Sequence, residues 1–231
     1  MVITRFLIGA LLLMSSLAAA QPPSSAPDTG DRFAVAYVET RPDAAAVGRA
    51  ALEQYRNAVR RQPDCLAVEV FEQAGRRGRF AVVESWRDAA TFDARDAAPK
   101  LQLLEALRSI RVSDYDERPY KSLSLDARAA DAAASAAVVI AHVDVAPNTQ
   151  APELLRRLAE QSRTEQGNGS FVVLQHLQRG NHFTVVEHWS SEAALDAHVA
   201  APYTREYRDM LQPLTGSPLD ERVYTPISGP R

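Results

Sequence analysis

The sequence predicts an α+β protein: two tandem β-α-β-β-α-β units packed sheet against sheet. Three observations predict it. The second half of the chain restates the first at an offset that stays between 103 and 105 residues. Each half runs through apolar strand-like and amphipathic helix-like segments in the same order. A four-stranded sheet with helices on one face leaves its other face to be covered, and two copies in one chain can cover each other.

The repeat is carried by short matching blocks. Val82-Val83-Glu84-Ser85-Trp86 corresponds to Val185-Val186-Glu187-His188-Trp189, and Asp93-Ala94-Arg95 to Asp196-Ala197-His198. Pro99 matches Pro202, Asp116-Glu117-Arg118 matches Asp220-Glu221-Arg222, and Tyr120 matches Tyr224. Tyr37-Val38 aligns with His142-Val143, and Pro42 with Pro147. Blocks kept in register and in order indicate a duplication.

In chain order, the first twenty residues stand outside the fold. Arg5 supplies a positive start, 6–13 an apolar run, and Ala18-Ala19-Ala20 the small residues of a cleavage site, so a signal peptide removed after Ala20 is expected. Its apolar run is too short for a comfortable membrane span. The expected product is exported and periplasmic, with no stable membrane insertion. Residues 21–31 are rich in Pro, Ser and Asp and read as a flexible leader. The first unit is expected over 32–122, a linker rich in Ala and Asp over 123–136, the second unit over 137–226 and a short tail over 227–231.

Each unit opens with an apolar strand, 33–38 and 138–145, followed by a helix near 44–61 and 149–165. Leu52, Tyr55 and Val59 share one helical face in the first; Leu154, Leu155 and Leu158 do so in the second. Asn148 or Thr149 is placed to cap the second helix ahead of Pro152. Hairpins follow, with strands at 66–72 and 79–86 around Gly75 to Gly78, and at 170–177 and 182–189 around Gly180-Asn181. Two short helices (88–96 and 100–109; 191–199 and 202–211) lead to a last strand near 115–123 and 220–226. The order is that of the ferredoxin-like unit. The linker is long enough for the two sheets to pair as an internal pseudo-dimer.

The totals exclude several classes. The 231 residues fit one or two domains, and 46% hydrophobic content allows each half a core. A net charge of -3 without a basic stripe argues against nucleic acid. A lone cysteine, Cys65, rules out an internal disulfide, and its place at the head of an apolar strand suits packing better than thiol chemistry. No phosphate-cradling glycine loop, nucleophile elbow or Cys-x-x-Cys is present.

The histidines are distributed asymmetrically. His142, His176, His182, His188 and His198 all lie in the second unit; the first has Tyr37, Glu72, Arg79, Ser85 and Arg95 at the matching positions. Histidine titrates near neutrality and suits proton transfer, which makes the second unit the candidate active half. His182 and His188 share a strand face but lie about 20 Å apart. His176 and His182 could meet across the hairpin, but two histidines alone make a weak metal site. No metal is expected.

The segment Asn181 to Trp189, with its Glu-x-Trp ending, followed by Ala193-Ala194-Leu195-Asp196-Ala197-His198, resembles the antibiotic biosynthesis monooxygenase family. Arg79 to Trp86 and Phe92 to Arg95 follow the same pattern with arginine in place of the histidine. The resemblance implies a dimeric α+β barrel, here intramolecular. It also implies activities such as cofactor-free oxygenation of quinols and anthrones, haem breakdown or isomerisation of small molecules. Some quinone-forming members pair the tryptophan with an asparagine four residues earlier; Val82 and Val185 stand there instead. The residue set of haem-degrading members is missing as well.

On this basis the expected function is cofactor-independent monooxygenation of a small aromatic or quinol-type substrate. His198 is the expected base, Trp189 a pocket wall and Glu187 the group that orients a donor, with Tyr203 and Tyr207 facing the same pocket. His142 and Phe183 complete the expected substrate lining. The competing expectation is a non-catalytic small-ligand-binding or structural envelope module, in which Trp86 and Trp189 are core residues and Glu84 and Glu187 pair with arginines.

Overall fold

The computed structural model describes residues 31–123, 135–147 and 149–227. The expected signal peptide, most of the leader and linker, Asn148 and the tail from 228 lie outside the described residues. The first unit runs β1 (Arg32–Glu39), α1 (Ala45–Val59), β2 (Cys65–Gln73), β3 (Arg79–Trp86), α2 (Ala89–Asp93), α3 (Ala98–Leu107) and β4 (Asp116–Ser122). The second runs β5 (Ala137–Asp144), α4 (Ala151–Ser162), β6 (Asn168–His176), β7 (His182–Trp189), α5 (Glu192–Ala200), α6 (Pro202–Leu211) and β8 (Asp220–Pro226).

The two sheets close into one antiparallel barrel in the order β1-β3-β2-β8-β5-β7-β6-β4. Within each unit the first strand is central, as in the pairs Val35↔Val83 and Ile140↔Val186. Two short seams join the units: Phe71↔Pro226 to Gln73↔Tyr224 on one side, and Tyr120↔His176 to Ser122↔Leu174 on the other. Closure pairs the outer strand of each sheet and so removes the exposed edges that an open sheet would present.

Strand alternation divides the side chains between two environments. Phe33, Val35, Phe71, Val83, Tyr120, Val138, Ile140, Leu174, Val186 and Tyr224 fill the barrel interior. The opposite face of each sheet packs on its own helices, with Leu52, Tyr55, Val59, Phe80 and Trp86 in the first unit and Leu155, Leu158, Phe171, Phe183 and Trp189 in the second. Tyr37 and His142, matching positions on β1 and β5, meet with Oη and Nε2 2.7 Å apart and so mark the pseudo-twofold axis.

Local devices repeat as well. β2 and β6 each carry a register shift near their start, between Cys65 and Ala67 and between Asn168 and Ser170. The residue before each strand enters the left-handed region: Asp64 at φ 63° near β2 and Gly167 at φ 90° before β6. The second helix starts differently from expectation. Gln150 is its N-cap without a side-chain bond, and the Thr149 hydroxyl instead accepts from the Ala151 N–H at 3.4 Å. The Asp-Glu-Arg blocks open β4 and β8, where Arg118 pairs with Asp116 at 2.5 Å and Arg222 with Asp220 at 2.6 Å. Cys65 packs against the first helix-side core, and burial pushes its thiol up to about 11. Among the described residues no helix is long and apolar enough to cross a membrane.

Candidate functional site

The strand-end pattern Glu-x-Trp sends Glu187 and Trp189 to the helix side of β7, because residues two apart on a strand share a face. There the Trp189 indole N–H donates to Glu187 Oε2 at 2.9 Å. Both side chains are buried, with Trp189 at 0% exposure. His198, on the last turn of α5, stacks on Trp189 with ring centroids 4.7 Å apart. Ser191 starts that helix by accepting from the Ala194 N–H at 3.1 Å, which fixes how α5 meets the strand.

His198 stands between two carboxylates. Nδ1 is 2.9 Å from Glu165 Oε2, and Nε2 is 3.8 Å from Glu187 Oε2. Nδ1 is also 3.3 Å from the Tyr203 hydroxyl, which donates to Ser162 Oγ at 3.4 Å. Burial holds His198 below the usual histidine range against the pull of Glu165. The neutral ring therefore gives its Nδ1–H to Glu165 and keeps an open Nε2 towards Glu187. Burial pushes the Glu187 carboxyl up to about 8, with the Trp189 N–H opposing it. Burial and the nearby Glu187 charge push the Tyr207 phenol well above its ordinary value.

The result is a series of ionisable groups graded in exposure. Glu187 and His198 are enclosed, at 6% and 3% exposure, whereas the Glu165 side chain reaches solvent and Tyr203 is half-buried beside it. The imidazole and the outer carboxylate are in hydrogen-bond contact and can pass a proton towards water, while Glu187 adjoins them at 3.8 Å without a hydrogen bond.

The first unit lacks this series. Glu84 accepts from the Trp86 indole at 3.0 Å and from the Tyr55 hydroxyl, so its carboxyl is closed off. Arg95, in the place of His198, lies over the Phe92 ring and pairs with Glu117 at 2.9 Å. Gln62 stands where the second unit has Glu165 and bonds the backbone of Asp96 instead. Glu165 was not among the residues singled out from the sequence. Its signal was the Gln62/Glu165 difference, which accompanies Arg95/His198 at the same offset.

His198, Trp189, Glu187, Tyr203 and Tyr207 are thus brought together. His142 and Phe183 are not. His142 points into the barrel, with Nδ1 2.9 Å from Thr184 Oγ1. Phe183 is on the helix side but at the far end of β7, where it lines a cleft of about 410 Å³ with Val145, Pro147 and Asn181. His176 and His182 do meet across their hairpin, with ring centroids 5.8 Å apart. Among the described residues no three His, Cys, Asp or Glu side chains are grouped to hold a metal.

Residues 32–104 and 137–210 each match the antibiotic biosynthesis monooxygenase family model. The chain belongs to that family. Two tandem family segments in one chain account for the internal barrel. A candidate monooxygenase from Fusobacterium nucleatum has a similar structure, with a TM-score of 0.74, 13% identity, and coverage of 87% of this chain and 94% of that one. An anthrone oxidase-like protein is similar at a TM-score of 0.66 and 14% identity, covering 87% and 92%. At these identities the likeness concerns the fold. An uncharacterised protein of Synechocystis sp. is 30% identical over 108 residues, 46% of this chain and 71% of the relative.

Proposed function

We propose that the second unit is a cofactor-independent monooxygenase site for a small aromatic of the quinol or anthrone type. The observation that carries this reading is the Glu187–His198–Glu165 series beside Trp189. Oxygenation of this kind asks little of a protein. A base removes a proton from a phenol or a doubly activated carbon. The resulting anion is electron-rich and passes electrons to O₂. For an activated CH₂ group the balance is one CH₂ and one O₂ to one C=O and one water.

His198 Nε2 is the base in this reading, and Glu165 takes charge of the imidazolium once it forms. Glu187, neutral at pH 7, can donate to a developing oxyanion. Trp189 gives a flat apolar wall, and the half-buried Tyr203 marks the way in. The site requires substrate to displace or part tightly packed side chains. That packing favours a second reading, in which the unit binds a small ligand or serves a structural role without turnover.

Oxygen uptake decides between them. Purified protein treated with chelator and free of flavin is mixed with a substituted hydroquinone and with an anthrone. The oxygenase reading expects O₂ consumption above the uncatalysed rate and loss of about 10²-fold or more in His198→Ala. Saturable binding of either compound with no O₂ uptake favours the ligand-binding module. Unchanged turnover in His198→Ala removes the role given to that residue.

A further inference from the structure

A second cluster lies on the opposite face of the same sheet, at the end of the barrel where β1 and β5 finish. A cleft of about 560 Å³ opens there, with His176, His182, Gln178 and Ser217 in its lining and charges of both signs around them. That volume is in the range of sites for small organic molecules. His142 stacks on His182 with ring centroids 5.6 Å apart, and Tyr120 stacks on it at 6.4 Å, so neighbouring rings fix how the imidazole lies. His176 meets it edge-on at 5.8 Å.

His182 is the residue that calls for a ligand. It is 5% exposed, yet neither of its ring nitrogens has a hydrogen-bond partner. Asp144 Oδ1 is 3.7 Å from Nδ1, beyond hydrogen-bond reach. A buried imidazole that leaves both nitrogens unused costs the fold stability unless something else engages them. The first unit shows that the position can be satisfied from within the chain. There Arg79 replaces His182 and pairs with Glu39 at 2.9 Å, and Glu72 replaces His176 and accepts from Arg49 and from the Gly78 N–H.

The charges of the rim are already paired with one another. Arg118 holds Asp116 at 2.5 Å and Arg179 holds Asp144 at 3.3 Å. Arg222, in the adjoining cleft, holds Asp220 at 2.6 Å, and Glu117 takes Arg95 at 2.9 Å and Lys100 at 3.0 Å. Each is a charge-assisted bond already made. An anion would have to draw an arginine from its carboxylate, and a cation a carboxylate from its arginine. The hydrogen-bonding capacity left over is uncharged. His176 Nδ1 accepts from the Gln178 N–H at 3.1 Å, so its Nε2 carries the ring proton and is a donor. Burial, with Arg179 adding to it, keeps the His182 ring neutral. That ring therefore offers one N–H donor and one bare nitrogen acceptor.

We propose that this barrel mouth is a second binding site, for a neutral polyhydroxylated molecule of monosaccharide or cyclitol size, held through its hydroxyls by His182 and His176. A hydroxyl both donates and accepts, so it can meet either nitrogen of a neutral imidazole, and a further hydroxyl can accept from His176. The rim pairs stay intact when an uncharged molecule enters. The site is separate from the His198 pocket, since the two groups use opposite faces of β7. Its test therefore does not depend on the oxygenase reading.

The test is a titration of the full chain at pH 7 with glucose, glucuronate and glucosamine, three probes of one skeleton that are neutral, anionic and cationic, followed by the histidine ring signals in NMR. The expected result is a saturable shift of the His182 and His176 signals with glucose, with both charged probes at least about tenfold weaker. His182→Phe keeps a flat ring against His142 and removes both nitrogens. His176→Asn keeps an acceptor for the Gln178 N–H and removes the Nε2 donor, so it reads the same site if His182→Phe does not fold. Each should weaken glucose by about tenfold, the scale of one or two neutral hydrogen bonds. His198→Ala should leave it unchanged. Glucose binding that survives the mouth variants, or no saturable shift at tens of millimolar, would overturn the proposal. Glucuronate or glucosamine binding as tightly as glucose would overturn the preference for an uncharged ligand.

Discussion

At the scale of single residues, the two copies of the Glu-x-Trp motif show what one partner changes. Glu84 is engaged by Tyr55 and Trp86, whereas Glu187 has the indole N–H and a histidine just beyond contact. A carboxyl held up to about 8 binds a proton in the folded state that the unfolded chain has already released. The folded protein therefore loses stability as pH rises from about 4.5 to about 8. Glu187→Gln should flatten that slope, by at most a few kcal/mol across the window, as read from urea unfolding at pH 5 and pH 8. If wild type and variant show the same slope, Glu187 is ionised in the fold.

His142 and His188 act in the opposite sense, since burial pushes each down to about 4. The unfolded chain takes up protons below about 6.5 that these rings refuse until about 4. Stability should fall as pH drops through that interval, and His188→Gln should move the acid unfolding midpoint downward. His198, Glu187 and Trp189 were legible in the sequence because an Ala-His helix end and a Glu-x-Trp strand end sit close in sequence. Glu165 was not, since it reaches the ring from the turn after α4. His142 was grouped with the wrong neighbours for a physical reason. β5 is buried on both faces, so Ala137 to Ala141 is apolar throughout and shows no alternation from which the side taken by His142 could be read.

At the scale of elements, boundaries followed the hydrophobic periodicity closely, and turn chemistry carried the rest. Gly167 enters β6 at φ 90°, and a Cβ there would come within 2.7 Å of Ala194 and 2.8 Å of Ser190. Gly167→Ala should cost about 1–3 kcal/mol in chemical denaturation, from backbone strain and the clash with the start of α5. Asp64→Gly, at the matching turn, should be close to neutral or slightly stabilising, because glycine tolerates φ 63° without penalty. The N-cap of α4 was not legible. Thr149 is the better capping residue by type, but the turn places Gln150 at the cap. Local propensity sets which residues can cap, and the approach of the chain from β5 decides which one does.

At the scale of the whole molecule, the need to cover a bare sheet face was legible, and closure of the edges followed from it. The interior cluster draws on both units, including Phe71 and Tyr120 from the first and Ile140 and Leu174 from the second. A chain of residues 136–227 alone would leave its half of that cluster wet. It should therefore associate into a homodimer or precipitate, and light scattering that shows a stable monomer would contradict the shared core.

The contact between Tyr37 and His142 has a consequence for how such a molecule can change. In a barrel built from two identical subunits, every replacement arrives twice, and a side chain on the axis meets its own copy. Joining the halves lifts that constraint, so a phenol can face an imidazole and each can be altered alone. One chain can then keep a plain, sealed half as a scaffold while its twin is free to acquire chemistry that a symmetric pair would have to accommodate on both sides at once.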